Sequence, residues 1–409
     1  MNKTIAIIGG GAAGFFCAVN AAQKNPDYSI VLFEKSTKLL AKVLVSGGGR
    51  CNVTHACFDN QVLVKNYPRG EKQLKSVFSR FAVNDTIQWF GSRGVELSEE
   101  ADGRMFPESN TSETIVNCLL SEAKKAKVDI RLQTELVQIG KEGNGFILHF
   151  REGSNFHCDK VVITSGGHPK EDNYSFLKQS GHSVKKPIPS LFTINLPGNA
   201  ITQLMGLAAN PATVKIAGTN YLYTGPVLIT HWGLSGPAVL KLSAFAAEYF
   251  NEKKYNAGII VNWVNQKEEE VRQYMTNYIQ QKGNAQPHTQ ALFGLPRRLW
   301  EHLLHKAEFT SAKPWAETGK KQINKLVTLL TADEYLMEGK TTFKEEFVTC
   351  GGIPLNEVDL RTMQSKCCPG LYFAGEVLDI DGITGGFNFQ AAWSTAWVAA
   401  DNLSERVRE

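Results

Sequence analysis

The chain has 409 residues, too many for one ordinary core, and the usual domain size points to two or three domains. Hydrophobic residues are 43% and charged residues 21%, a globular balance that excludes disordered and fibrous classes. The 44 Lys and Arg against 40 Asp and Glu leave a net charge of +4 with no basic block, which argues against binding nucleic acid or a membrane by charge alone.

The first element is the apolar run Ile5-Ala6-Ile7-Ile8, followed by Gly9-Gly10-Gly11-Ala12-Ala13-Gly14 and helix-forming residues to about Gln23. Behind Lys3 this stretch also has the look of a secretion signal, with Val19-Asn20-Ala21 as a cleavage site. The spacing decides otherwise: Gly9, Gly11 and Gly14 satisfy G-x-G-x-x-G between a strand and a helix. A second strand, Ser29 to Phe33, then delivers Glu34, with Lys35 beside it, twenty residues beyond Gly14, where a dinucleotide fold holds ribose hydroxyls. Gly9 permits the turn, Gly11 lets the backbone approach a pyrophosphate, Gly14 allows close packing, and Ala12 and Ala13 open the helix whose N-terminus attracts the anion. A carboxylate at 34 repels a 2′-phosphate, so the nucleotide is FAD or NAD rather than NADP.

Next comes Ser46-Gly47-Gly48-Gly49-Arg50-Cys51-Asn52-Val53-Thr54, whose glycines suit a backbone lying against something flat or anionic. Arg50 is expected to add a fixed positive charge there. Val161 to Ile163 is an apolar strand leading to Gly166 and Gly167. From about residue 190 short β-rich segments alternate with turns, from 267 to 331 the pattern is helical, and a strand returns toward Gly351 and Gly352. Helices are expected over 268–281, over 297–306 with Pro296 at the first helical position, and over 320–330.

At the far end, Leu371-Tyr372-Phe373-Ala374-Gly375-Glu376 reads as a strand ending in Gly and an acid. Asp379-Ile380-Asp381-Gly382-Ile383-Thr384-Gly385-Gly386-Phe387-Asn388 leads into a helix to about Leu403. A second glycine-rich strand-to-helix junction suits FAD, which is long enough to need support at both ends, with this helix aimed at the flavin pyrimidine edge. Asp379 and Asp381 are candidates for the ribitol or the flavin, Glu376 for a water-mediated contact, and turn-making is the alternative for so Gly-rich a loop.

Gly9 to Gly14, Ser46 to Thr54, Thr349 to Ile353 and Gly370 to Trp393, taken together, resemble the BaiN-like (YhiN-type) family of bacterial FAD-dependent oxidoreductases, within the wider glutathione-reductase-like flavoproteins. The resemblance covers essentially the whole chain. It implies an α/β fold: a discontinuous Rossmann-like FAD-binding domain of the glutathione-reductase type, carrying an inserted small β-barrel and a helical subdomain. On these grounds the domains are 1–189 and 347–409 for FAD, 190–266 for the β-barrel, 267–331 for the helices and 332–346 for the return strand. It also implies reduction of steroid-like enones, or oxidation of amines.

In such an enzyme the cofactor performs the hydride chemistry and the protein positions and polarises. His231, in Thr230-His231-Trp232-Gly233-Leu234-Ser235-Gly236-Pro237, is either a proton donor or substrate ligand, or a turn residue bonded to backbone. Cys51 beside Arg50 is a candidate low-pKa thiol, with a small residue packed under the flavin as the blander reading. The eight cysteines contain no Cys-x-x-Cys pair, so no metal site and no disulfide framework is expected, which fits a reducing, cytoplasmic setting. No apolar run reaches the roughly 20 residues that cross a bilayer.

The expected activity is NAD(P)H-dependent reduction of an activated C=C bond in a small apolar molecule. NADH or NADPH would act as a transient donor, since only one glycine fingerprint is complete. Rival readings are an amine oxidase using oxygen, and a flavin-bound module that assists RNA modification with little turnover.

Overall fold

The computed structural model describes residues 3–309, 313–341 and 348–404. The chain divides into two compact units, Met1–Ser190 with Lys344–Glu409, and Leu191–Phe343. The expected boundary at 189/190 falls one residue from this division, while the β-rich and helical parts of the insert belong to one unit.

The first unit is built on a parallel sheet. β1 (Lys3–Ile8) lies between β2 (Tyr28–Phe33) and β4 (Lys160–Ile163), with β3 (Asp129–Arg131) beyond β2 and β7 (Leu371–Phe373) beyond β4. Short antiparallel strands Gln364–Ser365 and Val358–Asp359 extend the sheet past β7. Ile5, Ala6 and Ile7 are wholly buried, as strands covered on both faces must be. In register, Ile8 faces Phe33 on one side and Ile163 on the other, so three strand ends open onto one edge. Crevices of this kind, beyond the carboxyl ends of parallel strands, are where α/β folds bind ligands.

α1 (Ala12–Lys24) starts directly from β1 and packs against α3 (Phe387–Asp401). Both helices are rich in small residues, with Gly14, Ala18 and Ala21 on one and Ala391, Ala396 and Ala399 on the other, all buried. α2 (Ala41–Gly49) is interrupted at its end: Ser46 is extended, and Gly47 and Gly48 are left-handed. β5 (Lys185–Ser190) pairs antiparallel with β6 (Val348–Gly352); these strands carry the chain out to the insert and back.

The insert is an antiparallel sheet of seven strands. Its edge strands Asp333–Glu338 and Lys340–Thr341 are joined through Gly339, which draws the two edges of the sheet together. Helices Glu268–Lys282, Arg297–Lys306 and Lys320–Thr331 share its core, in which Val214, Ile259, Trp300 and Leu330 are fully buried. Pro296 caps its helix from outside rather than occupying the first turn, its ψ of 136° being extended. Of the expected return strand over 332–346, residues 342–346 lie outside the described residues. Among the described residues no helix is long and apolar enough to cross a membrane, and no cluster of three or more His, Cys, Asp or Glu could hold a metal.

Candidate cofactor site

A cleft at the ends of β1 and β2 is lined by Gly9, Phe33, Glu34, Lys35, Val137 and Ser165, among others. Glu34 is held rigidly: one carboxylate oxygen accepts from the Gly10 amide at 2.8 Å and the other from the Ser36 amide at 2.8 Å. Each oxygen keeps a free lone pair, as two ribose hydroxyls require. Glu34→Ala is therefore expected to weaken FAD binding about ten- to a hundredfold, since it removes charge-assisted hydrogen bonds worth ~1.5–3 kcal/mol. Titration of the apoprotein with FAD, followed by flavin fluorescence, measures this; unchanged affinity would remove Glu34 from the site.

The three fingerprint glycines do different work. Gly9 has a φ of +117°, and a Cβ there would lie 2.5 Å from the Thr164 carbonyl oxygen. A Cβ on Gly14 would lie 1.8 Å from the Gly9 carbonyl oxygen. Gly11 differs, since its Cβ would meet nothing within 4 Å, and the same holds for Gly166, Gly48 and Gly49. At Gly11, whose backbone is extended, glycine serves only to keep space open, whereas Gly48, Gly49 and Gly166 combine open space with a positive φ (+69°, +85° and +75°) that favours glycine in itself. The Ser165 hydroxyl, buried and without a hydrogen-bond partner, adds a donor that a bound group would satisfy. Ala13 is buried and Ala12 half-buried at the start of α1, where the amides of the first turn gather. These features fit the pyrophosphate and adenosine parts of FAD.

The far end of the site is the loop from Gly375 to Asn388. Gly385 and Gly386 have φ of +121° and +92°, and Gly386 caps α3 without a side-chain hydrogen bond. No acidic residue lies in the first turn, so the positive end of a 15-residue helix is left for an external acceptor. Glu376 accepts from Lys42 Nζ at 2.8 Å and from the Thr349 amide at 3.1 Å. Asp379 accepts from the Gly351 amide at 3.0 Å and pairs with Lys185 at 3.3 Å.

Several expectations change here. Arg50 is not an uncommitted charge, because its guanidinium donates to Glu100 at 2.6 Å and lies 4.0 Å from the centre of the Phe106 ring. Asp381 is enclosed by Arg69 and Ser190 rather than presented to the ribitol. The Asn388 amide clasps Gly382, accepting from its N–H at 2.8 Å and donating to its carbonyl at 2.9 Å, so only its backbone faces the helix end. Phe387 is buried against His55 and Tyr67. Gly375 makes room for α1, since a Cβ there would lie 2.8 Å from that of Ala13.

Cys51 is fully buried, and burial pushes its thiol up to about 12, with a hydrogen bond from Ser46 only partly opposing. It is therefore not the low-pKa thiol that its neighbour Arg50 suggested. Iodoacetamide at pH 8 is expected to leave Cys51 unmodified in the native protein and to modify it after unfolding, read by peptide mass; rapid native alkylation would contradict the burial. His231 belongs to the insert, exposed in a turn where the Thr230 hydroxyl accepts from the amides of Trp232 and Gly233.

Lys42, Ser165, Val137 and His168 gave no sequence signal, since they come from separate stretches of chain. His168 is buried, and desolvation, reinforced by Lys35 and Lys42, lowers its pKa to about 4, leaving it neutral at pH 7.

A parallel α/β unit with an anion-ready helix, a ribose acceptor and a second glycine-lined helix end defines a dinucleotide-binding flavoprotein. The profile of the HI0933-like protein Rossmann domain matches residues 3–402, and the chain belongs to that family of FAD-dependent oxidoreductases. It is 31% identical to a ribosomal RNA dihydrouridine synthase of Escherichia coli (strain K12), over 97% of each chain. It is 26% identical to a 3-dehydro-bile acid delta(4,6)-reductase of Clostridium scindens, over 99% of this chain and 100% of that one. In fold it resembles the 3-ketosteroid delta1-dehydrogenase of Sterolibacterium denitrificans, with a TM-score of 0.51 and 13% identity, covering 98% of this chain and 99% of the other.

Proposed function

We propose that this FAD-dependent oxidoreductase reduces a carbon–carbon double bond conjugated to a carbonyl group. The observation that supports this reading is that two relatives matched over nearly their whole length are named for the same bond change. Dihydrouridine is uridine saturated at a ring bond conjugated to a carbonyl, and a 3-dehydro bile acid with 4,6 unsaturation is an extended enone. Bound FAD supplies the hydride, with NADH or NADPH as the donor that recharges it.

The protein's own part is electrostatic and positional. The N-terminus of α3, with no acidic residue in its first turn, would favour negative charge on a flavin bound beside it. Glu34 orients the adenosine ribose, and the open positions at Gly48 and Gly49 admit a flat group against the backbone. His231 is the side chain proposed to supply the proton that completes the reduction.

A uracil ring in RNA is the first substrate to test, because identity to the relative named for RNA is the higher, 31% against 26%. The weak net charge that argued against nucleic acid is also unevenly placed: residues 191–343 hold 15 Lys and Arg against 11 Asp and Glu, and the remainder is balanced at 29 each. A small steroid-like enone is the second reading, supported by the bile-acid reductase. Nucleoside mass analysis of ribosomal RNA from cells with and without this chain separates them. Loss of dihydrouridine is the expected result; unchanged dihydrouridine, with turnover of an enone by the pure protein, favours the second substrate.

A further inference from the structure

All eight cysteines lie among the described residues, and Cys367 alone is exposed. It stands in the turn between the short strand Gln364–Ser365 and β7. Two buried side chains meet its sulfur there. His182 Nε2 lies 3.3 Å from Cys367 Sγ, Ser365 Oγ lies 3.4 Å from it, and these two atoms are 2.8 Å apart. His182 and Ser365 are each only 4% exposed, so a solvent-facing thiol closes a triangle with a buried imidazole and a buried hydroxyl.

The surrounding hydrogen bonds assign the protons. The Ser365 hydroxyl accepts from the Cys368 amide at 2.9 Å, which leaves its own proton for Nε2. His182 Nδ1 is buried without a well-formed hydrogen bond, and the Leu177 carbonyl favours a proton on the ring. The tautomer with Nδ1–H fits both facts, and Nε2 then offers its lone pair to the Ser365 hydroxyl and the Cys367 thiol together. Burial lowers the pKa of His182, with Glu357 opposing, so the ring is uncharged at pH 7 and able to accept a proton. The only other acceptor near the thiol among the described residues is the Gly181 carbonyl, farther off at 3.8 Å.

We propose that Cys367 is a modification site, a thiol that exchanges with small-molecule disulfides, with His182 as its base and Ser365 as the residue that positions the imidazole. Cys367 Sγ gives its proton to Nε2 and attacks one sulfur of the disulfide. The new S–S bond forms as the old one breaks, and the departing thiolate takes the proton from His182 and leaves as a thiol. The Cys367 sulfur is oxidised and the departing sulfur reduced, so the disulfide is the whole oxidant. The thiolate formed on the way is met by the Ser365 hydroxyl and by Nε2–H, donors that an isolated surface thiol lacks. Cys57 supplies a contrast in the same chain: it is half-buried, and burial, then the charge of Asp59, push its thiol up.

The test exposes the native, FAD-loaded protein to oxidised glutathione at pH 7.5 and follows every cysteine by peptide mass. Cys367 is expected to form the mixed disulfide at least about tenfold faster than Cys57, and dithiothreitol to release it. His182→Phe keeps an aromatic ring against Phe373, whose centre lies 5.0 Å from that of the imidazole, and removes both nitrogens. It is expected to slow Cys367 about tenfold and to leave Cys57 unchanged. Loosened packing would do the reverse, opening the buried Cys17 and Cys51 to reaction. If His182→Phe does not fold, Ser365→Ala decides, with exchange at Cys367 several-fold slower and the buried thiols still unreactive. Equal rates at Cys367 and Cys57, or a Cys367 rate unchanged in the folded variant, overturn the proposal.

Discussion

Gly11→Val is expected to give a folded protein that does not retain FAD. Gly11 caps α1 with φ of −92° and ψ of −165°, extended values that any residue adopts. A Cβ there meets nothing within 4 Å, so the valine has room in the cofactor-free protein. That room is where the backbone of a dinucleotide fold must approach the pyrophosphate. A branched side chain at this point should cost about a hundredfold or more in affinity, equivalent to ~3 kcal/mol. The checks are the flavin absorbance of the purified variant and its melting temperature. Bound flavin at full occupancy would show that the cofactor lies elsewhere.

Gly14→Ala, three residues on, is expected to fail in the opposite way, by destabilising the fold with or without cofactor. Its Cβ would lie 1.8 Å from the Gly9 carbonyl oxygen and 2.9 Å from the Thr164 hydroxyl. The obstacles are mostly main chain of the β1–α1 turn, so α1 must move from the sheet. Ala favours a helix over Gly by about 1 kcal/mol. Overpacking against backbone costs more, on the order of 3 kcal/mol, so the overlap decides. Urea unfolding of the cofactor-free protein measures the balance, and a midpoint equal to or above that of the parent chain would contradict the packing argument.

The contrast between these two glycines shows where sequence reading is strong. Spacing placed Gly9, Gly11, Gly14 and Glu34 because they lie within one strand–helix–strand unit, whose geometry is local. The helices at 297–306 and 320–330 were legible for the same reason, through their 3.6-residue periodicity. The pairing of Arg50 with Glu100 was not legible, because the two lie 50 residues apart. Asn388 and Gly375 were singled out for cofactor contact, and their side-chain positions instead serve the loop and the α1 packing. Ser165 comes to the cleft from the end of β4, and no local pattern announces it. Arg69 sits in Tyr67-Pro68-Arg69-Gly70, where Pro and Gly around a single cation were the signal available, yet its meaning depends on Asp381, 312 residues on.

The central claim is that the reduced cofactor passes hydride to a conjugated double bond. It is tested most directly by reducing the FAD-loaded protein anaerobically with NADPH or dithionite, removing excess reductant, and mixing it with a uridine-containing ribosomal RNA fragment or an enone steroid. Return of the oxidised flavin band, with a matching amount of saturated product by mass spectrometry, is the predicted result. A band that stays bleached with both substrates and returns only with oxygen would contradict the claim and favour an oxidase.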